Sequence, residues 1–170
     1  MVKQLVVSAK IEPAQRPLET NFLPLDGSRA AQLGGWLETP CRGPLSVILP
    51  GYQTSVASNN LADGQELMIP ACSLLYSGTR TALLSRWSVG GRSSQVVLSR
   101  YLQELDRESP SAAWQRAVVA MWADDFLIAD EPVLLPSGKE SAPLVSGQHP
   151  KLWSGYMVIG DSQSPTVQVP

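Results

Sequence analysis

Apolar residues in this chain gather into a few short unbroken runs and two longer helical stripes, with polar or Pro- and Gly-rich stretches between them. Leu45-Ser46-Val47-Ile48-Leu49 stops at Pro50-Gly51, which predicts a buried central strand of the parallel type. Thr79 to Trp87 predicts a second strand of the same kind. Between them, Glu66 to Tyr76 follows a helical pattern, with Pro70 expected in the first turn, where its missing N–H does no harm, and Gly78 as the stop. Strand, helix and strand in that order read as a right-handed βαβ unit, hence a parallel pair within an α/β sheet.

The remaining segments are less uniform. Leu5-Val6-Val7 predicts a short strand, and Pro13, Pro17, Pro24 and Gly27 then imply a loosely organised opening. Ser28 is placed to cap a short helix running through Trp36 and Leu37, and Tyr52 to Gly64 reads as a polar loop long enough to cover a site. Val97, Tyr101 and Leu105 recur at helical spacing and predict a helix over 93–105. Ser109-Pro110-Ser111 supplies the cap of the next helix, whose stripe of Trp114, Ala117, Val118, Met121 and Trp122 is suited to core packing. Pro132, Pro136, Gly138 and Pro143 make 129–147 an irregular connection, and 149–161 is an aromatic-rich turn into a final strand before a fraying tail. No internal repeat is present.

Composition narrows the function. With 170 residues, 44% hydrophobic and 16% charged, the chain can bury a core without disulfides or metal. A net charge of -2 lacks the broad positive field that nucleic-acid binding needs. No stretch approaches the roughly 20 apolar residues of a membrane span. Cys41 and Cys72 are too few for a disulfide framework and have no metal-ligand spacing around them, so a reducing cytoplasm is expected. No P-loop, dinucleotide fingerprint, zinc motif or Gly-x-Ser-x-Gly elbow occurs, and no cofactor is expected.

Three stretches, taken in order and spacing, carry a family resemblance. They are Val47-Ile48-Leu49-Pro50-Gly51-Tyr52-Gln53-Thr54, the helix exit and strand from Ser77 to Trp87, and the terminal segment from His149 through Trp153 and Gly155 to Asp161. Together they resemble the C-terminal half of a CHAT domain, the caspase-like and separase-like peptidase fold often joined to tetratricopeptide repeats. The resemblance implies a caspase-like α/β fold, a three-layer sandwich with a mainly parallel central sheet flanked by helices. It covers 45–161 as the domain core, with 1–44 an irregular part of the same domain and 162–170 a tail.

In active members of that family the turn after this strand reads like Ser-Ala-Cys-Gln-Thr, and its cysteine attacks with help from a histidine in an earlier His-Gly motif. Alignment on Gln53-Thr54 puts Tyr52 in the cysteine position, and the sole histidine is His149. A phenol is a poor nucleophile toward a carbonyl carbon at neutral pH, so Tyr52 does not replace a thiolate. The resemblance therefore implies no catalytic residue, and leaves Tyr52, Gln53, Thr54, Arg86, Trp87 and Ser88 as a remnant pocket or peptide-binding surface. Arg and Trp are frequent interface anchors.

Other candidates read as structural. Cys72 is expected as a small buried hydrophobe, Cys41 as a loop cysteine beside Arg42, His149 as a turn residue, and the acidic group Asp124, Asp125, Asp130 and Glu131 as a solvated surface. The expectation is a catalytically inactive CHAT-like module for a protein or peptide partner, repeat-protein segments included, without nucleic acid or membrane. Homo- and hetero-oligomers both stay open. The alternative is the C-terminal chain of a caspase-like cysteine peptidase whose histidine comes from another segment, and a third reading is an assembly subunit docking through an exposed sheet edge.

Overall fold

The computed structural model describes residues 3–11, 14, 16–22, 27–38, 43–52, 65–86, 90–134 and 144–160. Among these residues six strands, β1 (Gln4–Val6), β2 (Ser46–Leu49), β3 (Thr81–Ser85), β4 (Asp125–Leu127), β5 (Leu144–Ser146) and β6 (Tyr156–Gly160), occur with four α-helices. The helices are α1 (Leu33–Glu38), α2 (Gln65–Tyr76), α3 (Gly91–Glu104) and α4 (Pro110–Met121). The chain forms two compact units, residues 1–88 with 156–160 and residues 89–155 with 161–170.

The first unit holds a sheet of order β1-β2-β3-β6. β1 with β2 and β2 with β3 are parallel, while β6 closes the row antiparallel to β3. This mainly parallel sheet flanked by helices is the mixed α/β arrangement expected of a caspase-like fold, and β2, α2 and β3 form the anticipated crossover. Val47 and Leu49 of β2 and Ala82 and Leu84 of β3 share one face of the sheet. They pack with Ala71 and Leu74 of α2 and with Ile11, Phe22 and Leu33. Ile48 and Leu83, on the opposite face, are buried too, which is why these strands read as unbroken apolar runs rather than alternating ones.

Helix α2 ends as its sequence requires. Gly78 takes φ +97°, its N–H donates to Leu75 and that of Thr79 to Leu74, so the last carbonyls are satisfied and the chain turns into β3. Pro70 differs from expectation. The helix begins at Gln65, so Pro70 lies inside it and one backbone bond to the preceding turn is forgone.

The proline-rich opening is also more ordered than its composition implies. Short 3-10 turns at Pro17–Glu19 and Arg29–Ala31 are tied together by Phe22 N–H to Ala31 and Leu33 N–H to Thr20, both 3.0 Å. Their purpose is burial, since Ile11, Thr20, Phe22 and Leu33 are all inaccessible. Ser28 precedes the second of these turns and makes no side-chain cap, so α1 starts at Leu33 instead.

In the second unit α3 packs on α4, whose start matches the predicted cap: Ser109 Oγ accepts from the Ala112 N–H at 3.4 Å. Ala117, Val118 and Met121 of the predicted stripe are buried, whereas Trp122 is exposed. The expected irregular connection contains a strand that periodicity missed, because β5 pairs antiparallel with β4 over three residues. A helix long and apolar enough to cross a membrane does not occur among the described residues.

Tyr101 of α3 meets Trp114 of α4 edge-on, ring centroids 5.7 Å apart. Its hydroxyl is buried without a hydrogen-bond partner, and burial pushes the phenol above its ordinary value. The folded state thus holds this proton more tightly than the unfolded chain, so its contribution to stability falls as pH rises above about 10. Tyr101→Phe removes an unsatisfied hydroxyl and is expected to be neutral or stabilising by about 1 kcal/mol at neutral pH, with the alkaline loss of stability reduced. Urea unfolding of both proteins at neutral pH and at about pH 11 measures this.

Candidate functional site

The turn after β2 is built to a close tolerance. Pro50 and Gly51 follow Leu49, and the Tyr52 N–H donates back to the Leu49 carbonyl at 3.1 Å. The segment ending at Ile11 runs directly against this turn: Ile11 N–H donates to Gly51 O at 2.8 Å, and Ile11 and Tyr52 form a parallel bridge. A Cβ on Gly51 would stand 2.1 Å from the Ala9 carbonyl oxygen, so only glycine permits this approach. From the neighbouring strand, the buried Ser85 hydroxyl donates to Pro50 O at 3.1 Å and to Tyr52 O. The end of β3 is thereby fastened to the turn, and Arg86 emerges beside it, exposed.

The Tyr52 side chain does not line an open cleft. Its relative exposure is 0%, and it packs in the core with Ile11, Phe22, Leu33 and Leu49. Phe22 meets it edge-on at 6.3 Å and meets Trp36 edge-on at 5.9 Å, a row of three aromatic rings behind the turn. A phenol closed off in this way offers no reacting atom to a substrate.

Among the expected site residues, the structure brings Tyr52 and Arg86 to one end of the sheet through Ser85. Gln53, Thr54, Trp87 and Ser88 lie outside the described residues, as does Cys41. Cys72 corrects its expectation: it stands on the outer side of α2 and is exposed. The neighbours on either side, Ala71 and Ser73, are the buried ones, and an i±1 step on a helix reverses the environment. His149 belongs to the second unit, where its Nδ1 accepts from the Lys151 N–H at 3.3 Å and caps the 3-10 turn Pro150–Leu152. No group of three metal-ligating side chains occurs among the described residues.

The acidic group divides. Asp125 and Asp130 are exposed, Asp124 pairs with Arg100 at 2.8 Å, and Glu131 is fully buried, contrary to a uniformly solvated surface. Glu131 is drawn inward because it closes the start of α3, accepting from the Ser93 N–H at 2.8 Å and the Ser93 hydroxyl at 2.5 Å. Sequence reasoning weighed Ser85 only as a serine without a hydrolase elbow, and passed over Phe22. A serine ending an apolar strand at Leu-Leu-Ser, and a lone Phe between prolines, were the signals available.

A family model described as CHAT domain matches residues 10–161. Comparison with curated proteins and with solved structures gives no match.

Proposed function

Because this chain belongs to the CHAT domain family, we propose that it is a catalytically silent member which keeps the peptidase-related scaffold and uses it to bind a protein or peptide partner. The observation supporting this reading is the buried ring of Tyr52 at the exit of β2, the position at which the family resemblance calls for an attacking sulfur. Acyl transfer needs a reactive thiolate or alkoxide within reach of a base. Here the turn is instead locked by Ser85, Gly51 and Ile11, with the phenol ring packed inward. Tyr52 is then a plug, and the exposed Arg86 belongs to the surface left for a partner at this end of the sheet.

The test is a peptide-cleavage assay over a broad substrate panel, run beside an electrophilic cysteine probe. No turnover is expected, and any labelling should report thiol accessibility alone, as at the exposed Cys72. Turnover abolished by Cys41→Ala or Cys72→Ala would overturn the reading and favour a two-segment peptidase.

A further inference from the structure

The β4–β5 ribbon exposes two leucines on its outer face. Phe126 and Val145 point inward, the first of them buried, while Asp125 and Leu127 of β4 and Leu144 and Ser146 of β5 face out. The register sets Leu127 directly opposite Leu144, and these side chains are 49% and 61% exposed. Antiparallel ribbons with one solvated face place polar residues on it. A single exposed leucine is ordinary, but two in cross-strand contact form a continuous apolar patch. Each strand pairs only with the other among the described residues, so both keep an edge of backbone donors and acceptors turned outward.

Charge identifies what would cover the patch. Asp125 shares the outer face with Leu127, and Asp130 follows in the next turn; both are exposed, and neither has an ion pair among the described residues. Asp124 is ion-paired with Arg100, and Glu131 accepts from Ser93. We propose that this face docks an extended partner segment carrying apolar side chains, set over Leu127 and Leu144, next to lysine or arginine side chains facing Asp125 and Asp130. Strand addition supplies backbone bonds, the leucines supply burial, and the carboxylates select basic over acidic sequences. This inference rests on the chain being an interaction module, yet its assay reads binding alone, so it fails or stands separately from a peptidase measurement.

Fluorescence anisotropy with labelled extended peptides tests it, using one that alternates leucine with lysine, one leucine with glutamate and one serine with lysine. Only the leucine–lysine peptide is expected to bind, with amide protection gained in β4 or β5 by hydrogen exchange. Leu127→Ser with Leu144→Ser should weaken binding about tenfold or more. Asp125→Asn, at an exposed position, should weaken it and flatten its salt dependence. Equal binding of the leucine–glutamate peptide, affinity indifferent to Asp125→Asn or to the leucine pair, or no binding up to about 1 mM overturns the proposal. So does self-association of the protein that Leu127→Ser abolishes, because the occupant would then be a second copy of this chain.

Discussion

Tyr52→Cys, which restores a sulfur where the family resemblance places one, is expected to yield an inert and destabilised protein rather than an enzyme. The ring it removes is wholly buried among Ile11, Phe22, Leu33 and Leu49. Truncating a buried aromatic side chain forfeits its transfer free energy and leaves a cavity, which costs about 3–5 kcal/mol when the replacement is alanine. Cysteine recovers only a small part of that volume. For a chain of this size the melting temperature should fall by about 10 °C. The new thiol would sit in an apolar enclosure, where burial raises its pKa and suppresses the thiolate, and Ile11 and the Ala9 carbonyl still close the turn. Iodoacetamide should therefore label Cys72, which is exposed, well before residue 52, with peptide turnover unchanged. Rapid labelling at 52, or measurable cleavage, would mean that the turn opens and that the phenol ring was the only obstacle to chemistry.

What could be read from the residues alone divides along a physical line. β2, β3 and α2 were legible because each is specified locally: unbroken apolar runs ending in turn residues, and a helix ending at a glycine whose conformation only glycine takes readily. The Ser109 cap was legible for the same reason, since the acceptor lies within one turn of the groups it serves. β4 and β5 were not, because three-residue strands carry almost no periodicity and exist only by pairing with each other, from Leu127 with Leu144, 17 residues apart, to Asp125 with Ser146, 21 residues apart. The opening segment misleads because its proline density implies an absence of order. There the order comes from Ile11 and Phe22, which are held by the sheet and not by their own neighbours in sequence. At the candidate site, sequence placed Tyr52 at the end of β2, but the direction of its ring depended on Phe22, which lies 30 residues earlier in the chain.

Glu131 illustrates the same limit and carries the other large effect. In sequence it is one of four nearby acids; in the fold its two carboxylate oxygens accept from the Ser93 backbone and hydroxyl at 2.8 and 2.5 Å, inside the first turn of α3. The helix start has free N–H groups and a partial positive charge there, which a carboxylate satisfies better than water can at a buried position. Space is made by Gly91, where a Cβ would stand 2.7 Å from Glu131 Oε2. Glu131→Ala strands the buried Ser93 donors and is expected to cost about 3 kcal/mol, since hydrogen bonds to charged groups contribute roughly 1.5–3 kcal/mol each and are partly redundant. Glu131→Gln keeps one acceptor and gives up the charge, so it should lie between alanine and the wild type. Urea unfolding ranks the three proteins, and hydrogen exchange locates the effect. Amides at the start of α3 should lose protection first, while those of β2 and β3 keep theirs at low denaturant. If Glu131→Ala unfolds at the wild-type midpoint, the carboxylate contributes nothing to closing α3 and its burial has another cause.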